Sequence, residues 1–341
     1  MTFDARAGLT VMTAATDPIS AAVAAAQAGD QAAFAALAEP HRRELHVHCY
    51  RMLGSFTDAE DMVQETLLRA WRRRETYAGR STFRAWLYRI ATNACLDHLE
   101  RHPRHPGSVG EVTWLQPFPD RLLEQAAPPD AEPDAAVVAR ETIELAFLVA
   151  VQHLPPRQRA VLMLRDVLGW SAAESAAVLG ASVASVNSAL QRARATLREH
   201  LPRRRSDWSP AGPSEEERSV LRRFVDACER ADMPALASLL REDAVFSMPP
   251  QPEVTRGRDA IVDLWGPALD PSEFGELLLV PAWLNRQPAA ANYLRRPGHQ
   301  DFRALAVDVL RVEDGMITDV VSFEHTAAFP VFDLLGLPAA R

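Results

Sequence analysis

Lysine is absent: all 37 basic side chains are arginine. With the heavy use of alanine, this fits either a GC-rich genome or selection for the planar, five-donor chemistry of the guanidinium. Cysteine is scarce and unpatterned. Cys49, Cys95 and Cys228 stand far apart, odd in number and in no CxxC spacing, which argues against a disulfide framework and for a reducing compartment. Long apolar runs are missing too. The alanine-rich stretch from Ala21 to Ala38 has no basic leader and is broken by Gln27, Gly29, Asp30 and Gln31, so it is neither a signal peptide nor a bilayer span. The expectation is a cytoplasmic protein with no membrane association. There are no internal repeats.

What is present fills two or three domains: 341 residues, 48% of them hydrophobic, an ordinary globular composition. The net charge of −8 is unevenly spread. Residues 1–139 carry 14 Arg against 18 acids, net −4; residues 140–205 carry 10 Arg against 5 acids, net +5; residues 206–341 carry 13 Arg against 22 acids, net −9. Only the middle segment has the basic excess that phosphate contact needs. The acidic tail repels DNA.

Three units and two linkers follow from the breaks. Residues 18–103 read as helical. Residues 104–134 form a linker, because Pro106, Pro117, Pro119, Pro128, Pro129 and Pro133 forbid a long helix; its Trp114, Leu115 and Phe118 are expected to dock on a neighbouring surface. Residues 135–202 are helical again. Residues 203–213, with Arg203-Arg204-Arg205, make the second linker. Residues 214–341 mix two helices with alternating apolar runs at Ala244–Met248, Ala304–Val312 and Ile317–Phe323, the last two joined by the hairpin signal Asp314-Gly315. The fold class is multidomain: two all-α domains followed by an α+β domain with a curved sheet.

In the first unit, Thr57 and Glu60 are spaced as a capping box. Val63, Leu67, Ala70 and Trp71 then share one core-facing stripe. Asp58, Asp61 and Glu65 fall off it, and the like charges at Asp61 and Glu65 repel slightly; a positively charged partner explains them, a solvated face being the alternative. The next helix starts near Ser81 as N-cap, with Phe83, Leu87, Ile90 and Ala94 inward and Arg84, Trp86, Arg89, Asn93 and Arg101 outside. His41, His46, His48 and Cys49 raise the question of a metal, but residues 46, 48 and 49 do not share a helix face and three or four converging ligands are needed; no metal and no cofactor are expected.

The third segment reads as a helix-turn-helix. Pro155-Pro156 opens a helix where a missing donor costs little. Ser171 and Glu174 form a capping box, Gly180 ends that helix in a left-handed cap, and Ser182 starts the next, running from about Val183 to His200. The N-terminal end of this last helix enters the major groove, which brings Ser182, Ala184, Ser185, Asn187 and Ser188 to bases or phosphates. Arg192, Arg194 and Arg198 favour phosphate.

These motifs, in this order, resemble the extracytoplasmic-function (ECF) sigma factors of the sigma-70 family. The string from Asp58 through Trp71 resembles region 2.2. The resemblance implies that Asp58, Glu60, Asp61, Gln64, Glu65 and Arg69 contact the β′ clamp helices of core RNA polymerase. Ser81 to Asn93 resembles regions 2.3 and 2.4, which implies capture of the −10 element by Arg80, Arg84, Trp86, Arg89, Asn93 and Arg101, with Tyr77 to Arg80 shaping a base pocket. Aromatics at helical spacing are more often core than base stackers, so Phe83 and Trp86 are read as mainly core. Pro155 to Arg194 resembles region 4, which implies a second polymerase contact at the β flap. It also implies −35 recognition by Ser182, Ala184, Ser185, Asn187, Ser188, Arg192 and Arg194. Common ECF versions carry basic residues where this chain has Asn187 and Ala189, which implies weaker phosphate attraction and a different −35 sequence. The linker reaches: about 31 extended residues cover roughly 100 Å, more than the roughly 70 Å of two DNA turns.

Residues 214–341 resemble the SnoaL-like (NTF2-like) cone fold found behind some ECF sigma factors. The whole chain looks similar to the sigma factor G type, through Val186-Asn187-Ser188, Gln191-Arg192-Ala193-Arg194, Met248-Pro249-Pro250 and Gln287-Pro288-Ala289-Ala290. The fold implies a pocket, here lined by Met248, Trp265, Trp283 and Tyr293. The strand where isomerases of this fold keep a carboxylate base, Ala244–Met248, has none. Asp308, Glu324 and His325 form no readable catalytic set, so the chain reads as no enzyme. The resulting function is an alternative-type sigma factor that binds core polymerase and promoter DNA. Its C-terminal domain would modulate it, with an anti-sigma factor or a small ligand as further partners. The alternative is a one-component helix-turn-helix regulator with a ligand-sensing domain, which has no need of the acidic helix around Asp61.

Overall fold

A computed structural model describes residues 18–77, 82–102, 116–123, 153–200, 214–249, 251, 253–326 and 331–341. Arg80, Ser81, Trp114, Leu115, the segment 135–152 and Arg203 to Arg205 lie outside the described residues.

The first unit contains helices α1 (Pro18–Gln27), α2 (Gln31–Ala38), α3 (Arg42–Leu53), α4 (Phe56–Arg72) and α5 (Phe83–Arg101). Leu45, Cys49, Tyr50, Met52 and Leu53 make α3 the buried centre, and Ala59, Val63 and Ala70 of α4 and Leu87, Ala91 and Cys95 of α5 close on it. Small residues at the crossings let the backbones approach closely. Two helix starts differ from the sequence reading. Ser55, not Thr57, caps α4, its hydroxyl accepting from the Asp58 amide at 3.2 Å. The Thr57 amide and hydroxyl instead donate to Gln116 Oε1 at 3.0 and 3.1 Å. Helix α5 is capped by Thr82 through the Ala85 amide.

The histidines diverge as their spacing requires. His46 Nε2 lies 3.3 Å from the Phe56 carbonyl oxygen, and His48 Nε2 lies 3.0 Å from the Thr92 hydroxyl. Among the described residues no three His, Cys, Asp or Glu side chains are placed to hold a metal ion. Burial, reinforced by the nearby Arg51 charge, holds the His48 ring down to about 3 from an ordinary 6.5. The unfolded chain therefore binds a proton that the folded chain refuses. The contribution of His48 is complete above pH 6.5 and is lost as the pH falls toward 3, at roughly 1.4 kcal/mol per unit. We expect urea midpoints to fall steeply over that window and His48→Asn to flatten the fall; an equally steep acid limb in the variant would assign it to other groups.

The second unit holds α7 (Pro156–Leu162), which continues into a wider π-type turn at Met163–Val167, then α8 (Ala172–Leu179) and α9 (Val183–His200). Pro156 is the first helical residue. The Ser171–Glu174 capping box is complete, and Gly180 sits at φ 59°. Between the two units a short turn of helix, α6 (Asp120–Leu123), belongs to the linker. Helices α7 to α9 do not stand alone: Leu154, Val161, Leu162, Val186 and Leu190 share one continuous core with α3 to α5. Arg159, only 4% exposed, crosses that seam and donates to the carbonyls of Met52 and Leu154.

The third unit begins with α10 (Glu215–Glu229) and α11 (Met233–Leu239), then β1 (Leu240–Ser247), β2 (Val254–Arg256), α12 (Arg258–Ala268), β3 (Glu276–Leu284), β4 (Gln287–Arg295), β5 (Arg303–Glu313), β6 (Met316–Glu324) and α13 (Val331–Leu335). The strands form one sheet in the order β2-β1-β6-β5-β4-β3, antiparallel except for the parallel pair β1 and β6. Side chains alternate between its faces. On β4, Ala290 packs toward α10 to α12, whereas Ala289, Ala291 and Tyr293 pack on the opposite face under Val331 and Phe332 of α13. The β3–β4 hairpin escapes sequence reading because its two-residue turn is Asn285-Arg286, with φ 49° and 61°, a left-handed pair usually signalled by glycine.

Candidate functional site

Helix α4 presents Glu60, Asp61 and Gln64 to solvent. Leu68, which sequence reading passed over, is 42% exposed on the same face. Asp61, Gln64 and Leu68 fall at i, i+3 and i+7, one stripe of the helix, so the signal was in the phase of the sequence. The other residues assigned to this face are engaged within the chain. Asp58 lies 3.8 Å from the His98 ring, and Arg69 bridges Glu65 and Asp97, each at 2.6 Å. Glu60 and Asp61 therefore stand exposed beside Leu68 on the outer face of the helix.

On α5, Arg89 and Arg101 are exposed. Arg84 is turned inward, donating to Glu44 at 2.7 Å with its guanidinium 4.9 Å over the Tyr88 ring. Burial raises the Glu44 carboxyl, but the His41 hydrogen bond and the Arg84 charge outweigh it and hold it below the usual range. Trp86 belongs to a ring cluster with Tyr77 and Phe83, at centroid distances of 5.4 and 5.5 Å, and keeps partial exposure.

Helix α9 exposes Ser182, Ala184, Ser185, Asn187, Ser188, Arg192 and Arg194. The Ser182 hydroxyl accepts from the Ser185 amide at 3.1 Å. Arg194 makes a two-pronged contact with Asp166 at 2.9 and 2.7 Å, an exposed pair of small worth that a phosphate can displace.

Helix α5 faces α7 and α9 across a crevice of about 230 Å³, where Asn93, Asp97 and Glu100 oppose Arg157 of α7 and Ser185 and Ala189 of α9. Residues assigned to the two DNA elements thus line the same crevice.

The linker joins the first and third units. Phe118, 1% exposed, inserts among His46, Tyr50 and Phe56 at centroid distances of 5.3, 4.8 and 5.3 Å. Asn285, at the tip of the β3–β4 hairpin, grips its backbone from the other side. Its Oδ1 accepts from the Phe118 amide at 2.8 Å, its own amide donates to the Phe118 carbonyl at 2.9 Å, and its Nδ2 donates to the Tyr50 hydroxyl at 3.0 Å. The Arg286 amide adds a bond to Asp120 at 2.8 Å. Gln116 and Asn285 leave no local pattern in the sequence, since Thr57 lies 59 residues from the one and Phe118 167 residues from the other.

One face of the sheet and helices α10 and α12 line a cavity of about 220 Å³. Met248 and Trp265 line it; Trp283 and Tyr293 do not. Trp283 lies on the lining side of β3, four residues beyond Leu279, about 13 Å farther along the strand, and packs elsewhere in that core. Tyr293 is on the opposite face of β4, fully buried, with its hydroxyl donating to the Pro338 carbonyl at 2.9 Å.

Comparison with known proteins agrees with this architecture. Residues 37–105 match the family description "Sigma-70 region 2", residues 144–197 "Sigma-70, region 4", and residues 221–320 "SnoaL-like domain". The chain is 43% identical over 325 residues to the ECF RNA polymerase sigma factor SigG of Mycobacterium tuberculosis (strain ATCC 25618 / H37Rv), covering 89% of this chain and 84% of that protein. It is 30% identical over 323 residues to SigJ of the same strain, covering 89% and 96%. The crystal structure of Mycobacterium tuberculosis SigJ aligns with a TM-score of 0.55 at 26% identity, over 84% of this chain and 95% of that one. Among the described residues no helix is long and apolar enough to cross a membrane. Similarity to sigma factors over 89% of the chain, through both helical units and the third, decides against a free-standing one-component regulator: the chain belongs to the ECF RNA polymerase sigma factors, as an alternative sigma factor with a C-terminal SnoaL-like domain.

Proposed function

We propose that this sigma factor docks on the clamp helices of core RNA polymerase through Glu60, Asp61, Gln64 and Leu68, working in the cytoplasm and doing no bond chemistry itself. The observation that carries the reading is the exposed acidic stripe with Leu68 set in it. Arg89, Arg101 and Asn93 then serve the −10 element, and the exposed N-terminal half of α9 with Arg192 serves the −35 element.

Both elements cannot be held in the arrangement described. They lie roughly two DNA turns apart, about 70 Å, whereas Asn93 and Ser185 line one crevice. The arrangement is therefore a closed state. Promoter engagement separates α7–α9 from α3–α5 along the seam that Arg159 crosses, and the clasp at Phe118, which ties the linker and the third unit to α3 and α4, shortens the free length of linker that this separation draws on. In this way the C-terminal domain modulates the factor.

The chain with core polymerase is expected to yield promoter-specific run-off transcripts. Arg192→Ala should lower promoter affinity by several-fold and reduce the slope of log affinity against log salt by about 1. Absence of core binding in a pull-down would overturn the reading, and an unchanged salt slope would remove Arg192 from the DNA face.

A further inference from the structure

The end of α9 proposed to meet DNA carries no charge. From Val183 to Leu190, its first two turns, there is no Arg, Lys, Asp or Glu, and the first cation is Arg192, about 2.5 turns from the start. Guanine is most often read by the two-pronged contact of an arginine or lysine with O6 and N7, and cytosine by a carboxylate that accepts from N4. Neither partner is present at this end of the helix. Serine contacts either kind of base pair, so Ser182, Ser185 and Ser188 do not discriminate.

Two neighbouring side chains do discriminate. Val183 is 44% exposed, whereas Val186 and Leu190 of the same helix are buried. A branched apolar side chain in that first turn adds little to the core, and valine is a poorer helix former than alanine. Asn187 is exposed four residues on. Side chains at i and i+4 are neighbours, about 5–6 Å apart at Cβ, which is roughly one to two steps of a duplex that rises about 3.4 Å per base pair. Both lie off the crevice toward α5, which Ser185, Val186 and Ala189 line, so both are open even in the closed state.

We propose that Val183 and Asn187 act as a specificity pair that reads A·T base pairs in the −35 element. Val183 packs on the C5-methyl of a thymine. Asn187 donates to N7 and accepts from N6 of an adenine within about two base pairs of it. The proposal rests on the reading of α9 as the −35 helix and adds to it which base edges are read.

Holoenzyme assembled from the full chain and core polymerase tests this on a promoter fragment located by run-off transcription. Each thymine of the −35 element is replaced in turn by deoxyuridine, which lacks only the C5-methyl. Each adenine is replaced in turn by 7-deazaadenine, which lacks only the N7 acceptor. At constant salt, one deoxyuridine is expected to weaken binding about threefold, close to what one buried methyl contributes. One 7-deazaadenine within about two base pairs of it should weaken binding at least about fivefold. Val183→Ala should erase the first penalty and keep the second, and Asn187→Ala should do the reverse. Each penalty is a ratio measured within one protein, so a general loss of stability does not imitate the result. Absence of either penalty in the parent holoenzyme would overturn the pair without any variant having to fold, as would penalties that both substitutions leave unchanged. Equal binding of the parent holoenzyme to a fragment with its −35 element scrambled would overturn the −35 reading of α9, and this proposal with it.

Discussion

Asp61→Arg is expected to lower the affinity for core RNA polymerase at least about 100-fold, equivalent to about 2.8 kcal/mol, while leaving the fold unchanged. Asp61 is exposed, so the substitution leaves the interior packing around Val63 and Ala70 untouched. At an interface the reversal acts twice, removing an attraction and placing like charges together, and such juxtaposition costs several kcal/mol. The loss should shrink at high salt, because rim charges are screened within about 8 Å at physiological ionic strength. Glu75→Arg is the matched control: Glu75 is also an exposed acid, with a side chain 78% accessible, but it lies past the end of α4 and outside the stripe. Affinity measured with purified core enzyme, alongside circular dichroism, decides the matter. Equal affinities for Asp61→Arg and the parent chain would remove α4 from the polymerase interface.

Asn285→Gly is expected to release the C-terminal domain from the linker and to raise promoter-specific transcription several-fold. Glycine is the right replacement because Asn285 sits at φ 49°, where any other small residue would add backbone strain. The change deletes the Oδ1 acceptor of the Phe118 amide and the Nδ2 donor to Tyr50 while keeping the backbone bond. Leaving a buried amide unpaired costs about 1–3 kcal/mol, a roughly five- to 150-fold shift toward the undocked state. Hydrogen exchange at the Phe118 amide reads undocking directly, and run-off yield reads its consequence. Faster exchange with an unchanged transcript yield would make the clasp a structural fastening with no bearing on activity. Unchanged exchange would show that Phe118, seated among His46, Tyr50 and Phe56, holds the linker without Asn285.

The comparison of sequence with structure follows interaction range. The Ser171–Glu174 capping box, the Gly180 cap, Pro156 at a helix start and the Asp314-Gly315 hairpin were all legible, because each is settled within about four residues by sterics or one hydrogen bond. The start of α4 was misplaced by two residues because Gln116, from the linker, takes the Thr57 groups that a local reading assigns to a cap. Arg84 was read as outward; Glu44, 40 residues earlier, draws it in. Tyr293 was read into the pocket, but Asn292 faces the cavity, and adjacent strand residues point to opposite faces.

The sequence by itself determined the helical and α+β units, the basic excess of residues 140–205 and the acidic stripe on α4, because periodicity, caps and charge are properties of neighbours along the chain. Only the tertiary structure decided which of those surfaces remain open. It brought the two DNA-facing helices to one crevice, threaded Phe118 between the first and third units, and set Asn292, Asp308 and Ser322 side by side at the end of an apolar cavity. Those arrangements depend on groups far apart in sequence meeting in a packed interior, where the removal of water makes each hydrogen bond and each unpaired atom count.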